Sequence, residues 1–384
     1  MSGIRNIVIA VMFLSSGIVA AQTETGQSPL NFSGQLSSWI NINNTGSLPL
    51  WGGVRYIPQL SLTEELRSGH IVTAEASANI FGSAGLHPFD TLSASGNIKP
   101  YRMWARYATN HLEFRLGLQK LNFGSSTLLR PLMWFDQIDP RDPLQLTDGV
   151  WGLLGRYYFM NNANIWIWGL YGNSSARGWD IIPTAKGVPE FGGRVQLPMK
   201  RGEVAFTYHH RVGDGSSLGA VTPLPSEIPE NKFGFDAKWD LVAGLWVEGS
   251  YTSRRGNADL LTDQVVITAG ADYTFGIGNG IYLALEQLAI SFDDTPADFR
   301  GNYYFTAMTA SYPIGLLDQL GTILYYDWHG GNIYSFLNWK RQYDNIMFYV
   351  MAYWNPSAFS LPAQPSANNL FAGRGIQLMF VFNH

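Results

Sequence analysis

Charged side chains along residues 101–119 keep to one side of a two-residue alternation. Tyr101, Met103, Ala105 and Tyr107 alternate with Arg102, Trp104 and Arg106, and Leu112, Phe114, Leu116 and Leu118 alternate with Glu113, Arg115, Gly117 and Gln119. The pattern returns at 231–239, where Phe233, Phe235, Ala237 and Trp239 oppose Lys232, Gly234, Asp236 and Lys238. At 264–275, Val265, Ile267, Ala269, Ala271, Tyr273 and Phe275 oppose Thr268, Gly270, Asp272 and Thr274. Period two is the mark of a β-strand, and a face without charge opposite a face with charge divides an oily environment from a wet one. Composition supports this division: of 384 residues 46% are hydrophobic but only 14% are charged, and mean hydropathy is −0.04. Low charge with neutral hydropathy fits strands that meet lipid on alternate residues only. No internal run of 18 apolar residues occurs, which excludes a multi-helix membrane protein, and the absence of cysteine excludes disulfide scaffolds and thiolate metal sites.

The first segment reads as a secretory signal. Arg5 precedes the apolar Ile7 to Leu14, and Val19-Ala20-Ala21 ends the stretch on small residues, which places cleavage after Ala21. The apolar core is too short for a membrane anchor. Residues 22–384 are then a single domain, with 24 basic and 29 acidic residues and a net charge of −5, which gives no indication of nucleic acid as a partner.

Strand candidates fall at 31–43, 54–65, 70–81, 101–109, 112–123, 151–160, 163–173, 190–198, 202–212, 231–239, 242–252, 264–275, 280–292, 302–313, 318–328, 333–342, 345–354 and 373–383. Eighteen is the count, with sixteen still compatible. Short turns such as Arg67-Ser68-Gly69, Asn110-His111 and Asp240-Leu241 alternate with mostly longer segments, among them 82–100, 124–150 and 174–189. Short turns at one end, long loops at the other and an even strand number define an all-β, antiparallel, up-and-down transmembrane barrel. Gln22 to Leu30 leave no room for a plug domain.

The last residues, Gly375 to His384, alternate apolar and mixed positions and reach Phe382 before ending Asn383-His384. This segment resembles the closing strand of bacterial outer-membrane porins, which usually ends in Phe; Asn383 and His384 depart from that pattern. Arg115-Leu116-Gly117-Leu118-Gln119, with Gly124 and the Asp/Pro/Arg-rich 136–143, looks like an element of the alginate-export and related porin-like barrels. The resemblance implies residence in the outer membrane, insertion by the barrel-assembly machinery, contact with outer-membrane lipid and passive passage of small hydrophilic solutes. It leaves open whether the barrel forms a homo-oligomer.

Strand parity assigns the charges to the lumen. Arg102, Arg106, Arg115, Arg156, Arg194 and Arg211 come from strands four to nine, and Asp236, Glu248, Asp272, Glu286 and Asp327 from strands ten to fifteen. A basic wall facing an acidic wall is expected to favour anionic solutes. Arg106 lies opposite Arg115 across the 110–111 turn, and like charges so placed repel. Asp136, Asp139 and Asp142 of the third long loop are the expected counter-charges. That loop carries Leu128, Leu129, Leu132, Met133, Trp134 and Phe135, too apolar for water, along with Arg130 and Arg141, and is stiffened by Pro131, Pro140 and Pro143. It is expected to fold inward over about 126–148 and narrow the pore.

His209 and His210 point to opposite faces and cannot share a metal; no metal, cofactor or catalytic constellation is assigned. Trp39, Trp51, Trp151, Trp179, Trp328, Trp339 and Trp354 read as membrane-interface aromatics, while Trp104 and Trp246 are candidates for stacking sugars. Two further readings are an exporter or importer of an acidic polysaccharide or aromatic acid, and a sealed structural or adhesive barrel. The membrane reading predicts recovery from cells only with detergent; release by a salt wash would instead identify a secreted glycan-binding β-protein.

Overall fold

The computed structural model describes residues 29–44, 48–87, 92–218, 225–255, 262–293, 302–357 and 370–384; the expected signal segment lies outside these. Their dominant element is one sheet of eighteen antiparallel strands. In chain order these are β1 (Leu30–Asn43), β2 (Leu50–Glu65), β3 (Ile71–Leu86), β4 (Leu92–Ala108), β5 (Leu112–Gln119) and β6 (Val150–Tyr158). There follow β7 (Asn164–Leu170), β8 (Glu190–Met199), β9 (Gly202–Gly213), β10 (Ile228–Asp240), β11 (Gly244–Arg254) and β12 (Asp263–Phe275). The last six are β13 (Ile281–Asp293), β14 (Asn302–Pro313), β15 (Asp318–Asp327), β16 (Asn332–Gln342), β17 (Ile346–Trp354) and β18 (Arg374–Asn383). Each strand pairs with its sequence neighbours, and β18 pairs with β1 from Gln35 opposite Asn383 to Asn43 opposite Gly375, so the sheet closes without an edge. The two residues beyond Phe382 take part in that closure: Asn383 pairs with Gln35, and the His384 amide donates to the Gly34 carbonyl at 3.0 Å while the His384 carbonyl accepts from the Gly34 amide at 2.9 Å.

Alternation sorts the side chains as a barrel in lipid requires. Leu116, Ile267, Leu285, Leu337 and Phe206 are exposed on the outer face, while their strand neighbours toward the axis carry the polar and charged groups. Among the described residues no helix is long and apolar enough to cross a membrane, so the crossing falls to the strands.

The wall is uneven in height. β2, β3 and β4 run 16, 16 and 17 residues, whereas β5, β6 and β7 run 8, 9 and 7. The cause is local: after Gln119 the chain leaves the sheet, so β4 pairs with β5 only from Met103 to Ala108. The segment 82–100, rich in Gly, Ser and Ala and expected as a loop, is instead largely strand. Its residues pair like with like, Ile80 with Ile98, Gly82 with Gly96, Ala84 with Ala94 and Leu86 with Leu92. Small side chains without β-branching hid a ladder that cross-strand matching makes. A register shift at Ser77/Ala78 restores the parity below it.

Leu285 points outward at 49% exposure. Leu285→Arg is expected to cost about 2–4 kcal/mol when folding into lipid vesicles is titrated with denaturant; an unchanged midpoint would mean that the face assignment is wrong.

Candidate functional site in the barrel lumen

The chain between β5 and β6, residues 120–149, forms the third loop, and two carboxylates organise it. Glu248 on β11 accepts hydrogen bonds from the amides of Ser125 (2.7 Å), Ser126 (2.8 Å) and Leu132 (2.7 Å). Glu286 on β13 accepts from the amides of Thr127 (2.6 Å), Leu128 (3.0 Å) and Leu129 (2.6 Å), and from the Trp246 indole (3.1 Å). Successive backbone N–H groups converging on an anion form a nest, and here the anions belong to the barrel wall. Gly124 makes the approach feasible: its φ is +105°, and a Cβ there would stand 2.4 Å from Glu248 Oε2. Apolar contacts complete the seat. Leu128 and Leu129 pack with Val266, Leu288, Ile290 and Phe305, while Trp134 and Phe135 pack with Phe123, Trp168 and Leu154. Each such side chain removed from water contributes roughly 1.5–3 kcal/mol.

Farther along, the loop turns to the other side of the barrel. Arg141 lies against the rings of Phe336 and Phe371 at 5.7 and 5.3 Å, and Leu144 packs with Tyr349, Met379 and Val381. The loop returns to β4, where the Thr147 carbonyl accepts from Arg102 at 2.9 Å and Asp148 pairs with Lys99 at 2.6 Å. Burial raises the Asp142 carboxyl above its ordinary range, against the pull of the Leu144 amide.

The loop aspartates do not reach Arg106 and Arg115. Arg130 holds Asp136 at 2.8 Å, and Arg141 holds Asp139 at 2.7 Å. The counter-charge is Glu113, 3.1 Å from Arg115, 3.5 Å from Arg156 and 3.7 Å from Arg106. The reason is position along the strand: Arg106 and Arg115 do face each other, but near the short turn, whereas the loop meets β4 at Lys99 and Arg102. Aromatic faces support two of the guanidinium groups, Arg156 over Trp166 at 3.8 Å and Arg115 over Trp104 at 4.7 Å.

The other expected lining residues are paired rather than arrayed as opposing walls. Arg194 reaches across β9 to Asp236 with contacts of 2.5 and 3.0 Å. Arg211 binds Glu230 at 2.7 Å and Asp180 at 3.0 Å, and Glu230 also accepts from Arg254 at 2.8 Å. Asp236, Glu248 and Glu286 are buried at 0–1% exposure and so do not line open water. Asp272 accepts from the Tyr282 hydroxyl at 3.2 Å, and Asp327 from the His329 amide at 2.9 Å. A buried charge left alone is costly, so each of these groups is satisfied locally, by an opposite charge or by N–H and O–H donors.

The fourth loop, 171–189, was not singled out from the sequence. It supplies Asp180 to Arg211 and Lys232, and Arg177 to Glu190 at 2.5 Å, while Trp179 donates to the Arg130 carbonyl at 2.7 Å. It therefore lies on the third loop. Trp179 between charged Arg177 and Asp180, followed by Ile181 and Ile182, was the available signal. Glu190 also contacts His209 at 3.2 Å, while His210 faces away beside Asn231. Of the expected interface tryptophans, Trp151, Trp328 and Trp354 are exposed, but Trp39 packs beside the Val381 cluster and Trp179 is bound to the third loop. Trp246, a candidate for stacking sugars, is buried against Glu286 instead.

A closed eighteen-stranded antiparallel barrel with a loop turned onto its inner wall has the fold of the outer-membrane porins. Three solved structures show the likeness: OccAB4 of Acinetobacter baumannii (TM-score 0.54, 10% identity, 94% of this chain and 100% of that one), Wzi of Escherichia coli (0.53, 9%, 91% and 84%) and OmpT of Vibrio cholerae (0.51, 11%, 92% and 99%). Wzi is described as a carbohydrate-binding β-barrel involved in capsule assembly. No family model and no curated protein sequence matches the chain.

Replacing Glu286 by Leu leaves three amides and an indole N–H without their acceptor. The expected loss is about 3–5 kcal/mol of unfolding free energy, with faster proteolysis within 120–149; unchanged protection of that segment would refute the anchoring role.

Proposed function

We propose that the protein is a channel of the bacterial outer membrane through which small hydrophilic, preferentially anionic solutes diffuse, with the third loop as its constriction. An eighteen-stranded barrel is wide enough to hold water, side chains and a folded-in loop together. The observation that carries the anionic preference is the group Arg106, Arg115 and Arg156 sharing Glu113 as their ion-pair partner. Their side chains remain 28%, 17% and 16% exposed, so charge is presented to solvent there and not cancelled. Fixed charge on a pore wall sets which ions enter.

Planar-bilayer recordings test both parts. The wild-type protein is expected to show a reversal potential favouring chloride over potassium, and Arg106→Gln with Arg156→Gln to reduce that preference. Deleting 130–143 is expected to raise single-channel conductance. A strongly cation-selective pore would contradict the role of the arginines, unchanged conductance after deletion would remove the constriction, and no conductance at all would identify a barrel sealed by its loops.

A further inference from the structure

We infer that the inner wall of β4–β6, beside the short turns, is a binding site for an oxyanion that enters from the short-turn mouth of the barrel. Arg106 and Arg115 are direct cross-strand partners, and Arg156 is the partner of Glu113 on the next strand pair. Three guanidinium groups share one carboxylate within ion-pair distance, and the half-buried Glu75 on β3 acts on Arg115 from farther off, so positive charge remains in excess. Beneath the third and fourth loops the arginines are more closely matched: Arg130, Arg141, Arg177 and Arg194 each meet a carboxylate, and Arg211 meets both Asp180 and Glu230.

The hydrogen-bond count points the same way. Each guanidinium has five N–H donors. Glu113 takes one contact from each arginine, and Thr73 takes one more from Arg106 at 3.2 Å. The Nε atoms of all three have no partner among the described residues. Trp104 and Trp166 hold two of the planes in place, so little side-chain freedom is lost when a ligand docks. An oxyanion offsets the excess, relieves the repulsion between Arg106 and Arg115, and offers several oxygens to donors presented as forks.

The site also has a direction. Arg106 lies two residues before the end of β4, and Glu113 is the second residue of β5. The third loop meets β4 at Lys99 and Arg102, on the far side of the cluster from the turn. An anion from the short-turn side therefore reaches the arginines without passing that loop. This placement at the periplasmic mouth rests on the channel reading, but binding itself does not require conduction.

Inorganic phosphate, with chloride as control, is the probe, and a dicarboxylate such as malonate distinguishes phosphate from carboxylate ligands. In equilibrium dialysis of the detergent-purified full-length protein, phosphate is expected to bind at one site in chloride buffer. Arg115→Gln is expected to weaken it on the order of tenfold, the loss of one strong charge-assisted contact. Glu113→Gln, which removes the competing carboxylate, is expected to tighten it, so the inference does not depend on an arginine variant that folds poorly. In bilayers, phosphate should reduce current at a lower concentration from one side than from the other. Binding no tighter than that of chloride, or indifferent to Glu113→Gln, would overturn the site. Binding that follows these variants in a protein without conductance would uphold the site and reject the channel.

Discussion

Two buried carboxylates hold the interior of this barrel together. Glu248 and Glu286 stand on strands separated only by β12, and between them they accept six backbone amides from residues 125–132. No cation is needed for this: the carboxylates are satisfied by oriented peptide dipoles, and the peptides by the carboxylates. Once that stretch is fixed, the apolar Leu128 to Phe135 follow onto the inner wall, and the fourth loop has a surface on which to lie. The loop is also why β5 is short, and hence why the wall is low on one side.

The lumen follows the rule that buried charge must be paired. Arg194 with Asp236, Arg211 with Glu230 and Asp180, and Arg177 with Glu190 are pairs drawn from different strands and loops, at the positions where the interior is most crowded. Near the short turns three partly exposed arginines share Glu113. Excess positive charge and exposure to solvent thus coincide there, in contrast to the enclosed pairs that support the fold.

The strand count and the alternating faces of β4, β5, β10 and β12 were legible because lipid on one side and water on the other impose period two. The apolar run in the third loop was legible for a related reason: six large hydrophobic residues outside a strand need somewhere to go. What the sequence did not reveal depended on distance in space. Glu113 is two residues from Arg115, yet the loop aspartates compete with it as expected counter-charges because the level at which the loop crosses the barrel is not written in the chain. Asp180 and Arg211 are 31 positions apart and meet only because the fourth loop lies on the third. Segment 82–100 was misread because its glycines, serines and alanines match each other rather than any strand propensity.

The sharing of Glu113 among three partly exposed arginines has a consequence for the setting in which the protein works. Mobile ions damp a solvent-accessible charge over about 8 Å at physiological ionic strength and over about 3 Å in molar salt, while pairs enclosed in protein are damped far less. Arg211 and Glu230 are fully enclosed, and Arg106 is not. Ionic strength therefore acts on the open cluster while leaving the enclosed framework nearly untouched, so the field of this wall can fade without a change in the shape of the barrel.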